Sequence, residues 1–169
     1  MNPEAQLATL FAAYDPPIAD LGTALRAKLR ARLPGFSEIV YVYESQTALV
    51  ISYSATEHGY EGLCSLAVYP DRASLHFARG AELSAADPVK LLQGRGRTVR
   101  HVALHAAAEF DRPEIQALFT AALKLADRRP DPCAMGSVII RAEAQKRRAV
   151  RAAKKATANA TPGAKKAGG

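Results

Sequence analysis

The stretch IVYVYESQTALVISYS, residues 39–54, decides the fold. Ile39 to Tyr43 and Ala48 to Ser54 are dense in Val, Ile and Tyr. Branched and ring-bearing side chains of this kind fit a pleated, half-buried surface. The polar residues Glu44-Ser45-Gln46-Thr47 between them have the length of a hairpin loop. The pattern repeats downstream. Leu63 to Tyr69 and Ala73 to Ala78 form a second pair across Pro70-Asp71-Arg72. In its second strand Leu75 and Phe77 alternate with Ser74 and His76, so one face is buried. Residues 80–97 read as a loop with a short turn around Pro88 to Leu92. Val99 to Leu104 is a fifth strand and Val138-Ile139-Ile140 a short sixth.

Helical patterns flank these strands. Asn2 before Pro3 is a side-chain cap followed by a residue that needs no N–H, and Leu7, Leu10 and Phe11 share a face. Asp15-Pro16-Pro17 breaks this helix and caps the next, whose stripe is Ile18, Leu21, Leu25 and Leu29. Arg26, Lys28, Arg30 and Arg32 fall in its last turns, where cations complement the helix dipole. Asp111-Arg112-Pro113-Glu114 resembles a capping box ahead of a stripe of Ile115, Leu118, Phe119, Ala122 and Leu125. Successive hairpins and three amphipathic helices predict an α+β domain: an antiparallel sheet of five to six strands with helices on one face.

Charge divides the chain. The net +7 disappears over residues 1–142, which hold fifteen Lys/Arg and fifteen Asp/Glu. Residues 143–169 hold eight Lys/Arg and only Glu143. We therefore expect a domain at 1–142 and a disordered basic tail at 143–169, since the tail's Ala, Lys, Arg, Thr and Gly cannot bury enough to offset ordering entropy. The tail cations are Lys146, Arg147, Arg148, Arg151, Lys154, Lys155, Lys165 and Lys166. They suit sequence-blind contact with nucleic-acid phosphates. No apolar run reaches the roughly 18 residues of a membrane span, so no membrane partner is expected. The start, Met1-Asn2-Pro3-Glu4, lacks the basic and apolar segments of a signal peptide, and Cys64 and Cys133 are far apart, which points to a reduced cytosolic setting.

The most suggestive local feature is Gly94-Arg95-Gly96-Arg97 with Arg100 following. Two glycines allow N–H groups to converge on an anion, and three arginines add charge. A P-loop is excluded, because no Gly-Lys-Ser/Thr ending is present and a strand follows instead of a helix. A tight turn with solvated arginines is the plainer alternative. Four histidines raise a metal or acid–base reading. His101 and His105 are four residues apart on one strand, about 13 Å, too far to share an ion. His76 could neighbour His101 only if their strands pair and face alike, which the sequence leaves open. His58 lies in a loop. Cys64 reads as a small packed hydrophobe and Cys133 as exposed. No catalytic residue, metal ligand or cofactor is assigned.

Several stretches in order resemble the YdhG-like family, domain of unknown function 1801. They are Glu38-Ile39-Val40-Tyr41, ALVISYSATE at 48–57, SLAVYP at 65–70, LHFARGAEL at 75–83, LLQGRGRTVRHVAL at 91–104 and SVIIRAEAQKRR at 137–148. The resemblance implies an α+β fold and no established activity. Some relatives are discussed as frataxin-like iron chaperones. That role needs an acidic surface, whereas the second helix here is basic, so it is not carried over. The chain also has no Trp and so lacks the family's Trp-Gly-x-Pro motif. The leading reading is a non-enzymatic binding domain with a pocket near residues 94–101, a small anionic ligand and a nucleic-acid-binding tail. The alternatives are a metal chaperone and an enzyme whose site assembles only in three dimensions.

Overall fold

In the computed structural model, which describes residues 2–141, helix α1 (Pro3–Ala12) begins as its sequence requires. The Asn2 side chain accepts the Ala5 N–H at 2.7 Å. Helix α2 (Pro16–Arg32) begins differently. Asp15 stands at its N-cap but makes no side-chain cap; its carbonyl takes the N–H groups of Ile18 and Ala19 at 2.9 Å. Two prolines leave no earlier donor for a side chain to satisfy. The capping box expected at residue 111 is likewise absent. Asp111 closes a 3-10 turn (Ala107–Asp111) and pairs with Lys28 at 2.5 Å, while Arg112 precedes helix α3 (Pro113–Leu125) without a side-chain cap.

The strands are β1 (Ser37–Tyr43), β2 (Ala48–Ser54), β3 (Gly62–Val68), β4 (Ala73–Phe77), β5 (Arg100–Leu104) and β6 (Val138–Arg141). They form one sheet in the order β5-β4-β3-β2-β1-β6. The first five strands are antiparallel neighbours, as the hairpins predict. β6 corrects the expectation of a wholly antiparallel sheet: it pairs parallel to β1, from Glu38↔Val138 to Tyr41↔Arg141. The turn at Asp131 to Ala134 does not join β6 to its neighbour β1 as a hairpin would, so no reversal is forced. The connection after α3 delivers the chain to the end where β1 starts, and the Glu38 N–H bonds the Ser137 carbonyl at 2.8 Å. The segment read as a plain loop also contains a 3-10 turn (Gly80–Ala86), which precedes the turn at Asp87 to Lys90.

The helices cover one face. Leu25 and Leu29 of α2 and Leu118 and Phe119 of α3 join Val40, Ile51, Leu66 and Leu75 in a single apolar cluster. Phe119 meets Phe77 edge-on, with ring centroids 5.1 Å apart. One charged residue enters this layer. Glu38 is 3% exposed, on the same side of β1 as Val40. Arg26 holds it from α2 with two bonds, Nε to Oε1 at 2.9 Å and Nη2 to Oε2 at 2.6 Å. The Tyr53 hydroxyl donates to the same carboxylate at 3.0 Å. Burial works against the charge on Arg26, but its bonds to Glu38 and Glu4 prevail and hold the guanidinium protonated. The opposite face carries half-buried Tyr41, Val50, Ser65, His76, His101 and Ala103.

Candidate functional site

β2 ends, β3 starts, β4 ends and β5 starts at one end of the sheet. The C-terminal end of α3 lies against the same end. Between them is a cleft of about 460 Å³. Its apolar wall is formed by Phe36, Leu63, Phe77, Leu83 and Ala122, with the small Ala55 and Ala78 leaving the space open. Polar groups stand among them: Thr56, Tyr60, Glu61, Arg79, Thr98, Asp127 and Arg128.

Most of these polar groups are tied to the framework. The Thr56 hydroxyl donates to Glu61 at 2.5 Å and accepts the His58 N–H at 3.1 Å. The Ser54 hydroxyl donates to the His58 carbonyl at 2.9 Å. This short network fixes the loop between β2 and β3. It presents Tyr60, 82% exposed, stacked on His58 with centroids 5.3 Å apart. Arg79 is bound to Glu82 through two nitrogens and donates to the Leu125 carbonyl at 2.6 Å. Arg129 donates to the Leu123 carbonyl. Two cations thereby bind two carbonyls of the last turn of α3, where the helix dipole favours them. Arg128, which also lines the cleft, makes no hydrogen bond or ion pair among the described residues.

The arginine loop is closed at its base by Gln93 and His101, which exchange backbone bonds at 2.8 and 2.9 Å. Gly94 adopts φ +126°, a conformation that favours glycine. Arg95, Gly96 and Arg97 are exposed. Arg100 turns back on the loop, with Nη1 donating to the Gly96 carbonyl at 2.5 Å and to the Val99 carbonyl at 2.8 Å. It holds the turn's shape. Of the segment 94–101, Thr98 lines the cleft, so the pocket lies mainly elsewhere.

β4 and β5 do pair, and His76 stands opposite His101, with ring centroids 5.1 Å apart. Burial, then the neighbouring His101 and Arg72, push His76 down to about 4. His105 follows β5, and its N–H goes to Glu109. Cys64 is fully enclosed, and burial pushes its thiol well up, so it packs as a hydrophobe. Cys133 is exposed. Among the described residues no three His, Cys, Asp or Glu side chains could together hold a metal ion, and no helix is long and apolar enough to cross a membrane. The tail cations, Lys146 to Lys166, lie outside the described residues.

No family model, curated protein or solved structure matches this chain. The cleft itself was not found from sequence. Its walls come from five separated stretches of chain, none with a motif. The available signal was topological: in an antiparallel meander the connections after β2 and β4 share one end.

Proposed function

We propose that this chain is a YdhG-like binding domain that takes an organic anion with an apolar body in the cleft and contacts nucleic acid through its tail. The observation that carries the first part is the cleft of about 460 Å³ with an apolar wall and the uncommitted Arg128 at its rim. Ligand pockets typically span roughly 300–1,000 Å³ and combine an apolar lining with a few placed polar groups. Tyr60 offers a ring face to a flat ligand. Arg97 adjoins Thr98 in the chain, so the arginine loop can add attraction for the anionic group.

The test uses 8-anilinonaphthalene-1-sulfonate, an aromatic anion whose fluorescence rises in apolar surroundings. Saturable binding is expected to the intact chain. Ala78→Leu fills the cleft and should abolish it. Arg128→Ala should weaken binding by roughly fivefold, the scale of an exposed ion pair. Equal binding by all three proteins would place the dye elsewhere and remove the proposal.

The tail reading rests on eight cations in 27 residues. Full-length protein should bind random-sequence duplex weakly, with a log–log salt slope no steeper than about −7, from roughly 0.9 per phosphate neutralised. Without an aromatic side chain to stack on bases, the tail should not discriminate between sequences. A chain ending at Ala142, shown by thermal melting to be folded, should lose this binding. Retention of full affinity would assign the contact to the domain.

A further inference from the structure

We propose that His76 and His101 form a two-histidine site for a divalent transition ion such as Zn²⁺, Ni²⁺ or Cu²⁺ on the face of the sheet opposite the helices. The site is separate from the cleft and does not depend on it.

The backbone places the two side chains as close as a sheet allows. His101 gives both its N–H and its carbonyl to Gln93. Those groups therefore point away from β4. His76 and His101, directly opposite each other in register, are a non-hydrogen-bonded pair. In such pairs the Cα atoms lie only about 4.5 Å apart and the side chains approach more closely than in the alternate pairs. Their rings face each other at 5.1 Å with 25° between the planes. Two imidazole nitrogens bound tetrahedrally at about 2.0–2.1 Å from one Zn²⁺ are roughly 3.3 Å apart. Turning the rings about χ2 brings one nitrogen from each towards that separation without moving the strands.

A second observation points to a ligand. Among the described residues, His76 Nε2 is the buried side-chain nitrogen or oxygen that has no hydrogen-bond partner. A buried polar atom left unpaired costs about 1–3 kcal/mol. Such atoms in native proteins call for an explanation, an ion among them. One fixed charge acts on the site. Arg72 opposes a cation, but it lies over the Tyr69 ring at 4.4 Å and is paired with Asp71 at 3.0 Å. No carboxylate among the described residues completes a three-ligand cluster with the pair, so water fills the remaining positions. Imidazole-only coordination selects borderline ions over Mg²⁺ and Ca²⁺, which take oxygen ligands. Affinity should rise from Ni²⁺ to Cu²⁺.

The test is calorimetric titration of the full-length chain with ZnCl₂ at pH 7.5, with MgCl₂ as a control. One ion per chain is expected, with no heat of binding for Mg²⁺. His76→Gln and His101→Gln should each weaken Zn²⁺ binding by roughly tenfold or more. His58→Gln and His105→Gln should leave it unchanged. Should His76→Gln fail to fold, His101→Gln and selective broadening of the His76 and His101 ring signals by substoichiometric Cu²⁺ decide the matter. Absence of Zn²⁺ binding by the native chain, unchanged affinity in His101→Gln, or broadening confined to His58 or His105 would overturn the assignment.

Discussion

Replacing Arg26 with alanine is expected to lower the unfolding free energy by about 3–5 kcal/mol, the scale of breaking one side of a buried ion pair. The loss does not measure the strength of the pair. It reflects what remains: Glu38, 3% exposed, with the Tyr53 hydroxyl as its one hydrogen-bond donor and the half-exposed Arg30 no nearer than 4.0 Å. Glu4 cannot relieve it, being itself an anion bound to Arg26 and Arg30. Replacing both partners, Arg26→Met with Glu38→Met, removes the orphaned charge and should recover much of the loss. Denaturant titration of the two proteins makes the comparison. A loss below about 1 kcal/mol in Arg26→Ala would mean that water reaches the carboxylate and that the pair behaves as a surface bridge.

Gly136→Ala is the second large effect. A Cβ at this position would overlap the Phe36 carbonyl oxygen and lie 2.5 Å from its carbon. These are backbone atoms at the entry to β1, so they cannot rotate aside. We expect a cost of about 1–3 kcal/mol or more, the range for overpacking, with release of the short β6 from β1. Amide exchange should accelerate at residues 138–141 while β2 and β3 keep their protection. Phe36 also lines the cleft, so dye affinity should fall in the same variant. Unchanged exchange in β6 would show that the strand is held by something other than its close approach at Gly136.

The strands and their hairpins were legible because each carried its own turn: Glu44 to Thr47 and Pro70 to Arg72 dictate reversal within a few residues. Direction was not legible for β6, since Val138, Ile139 and Ile140 say strand without saying which way. The helix stripes were legible too, and Ile115, Leu118, Phe119 and Ala122 are all buried. Glu38 was harder. Alternation alone places it on the side of Val40 and Val42, facing the basic α2, yet a charge in that position reads as exposed until its partner is known. The histidine pair depended on the register between β4 and β5, separated by 22 residues of chain that fix no offset. The anion reading of the Gly94 to Arg100 loop gave weight to all three arginines equally, whereas Arg100 is held by its own loop's carbonyls.

The backbone exchange between Gln93 and His101 also bears on how this protein behaves in a crowded solution. β5 is an outer strand, and an outer strand with a row of free N–H and carbonyl groups can seed a ladder with another molecule. On β5 that row runs through residues 101, 103 and 105. His101 is fully taken by Gln93, and the His105 N–H is taken by Glu109 at 3.0 Å. Among the described residues Ala103 stands open between them, and one residue is too short a template for strand addition. The loop that closes on Gln93 brings Arg95 and Arg97 to the same edge, so an approaching copy would meet like charge as well as a blocked backbone. The segment that first reads as an anion loop is thus also a guard against strand addition at the β5 edge.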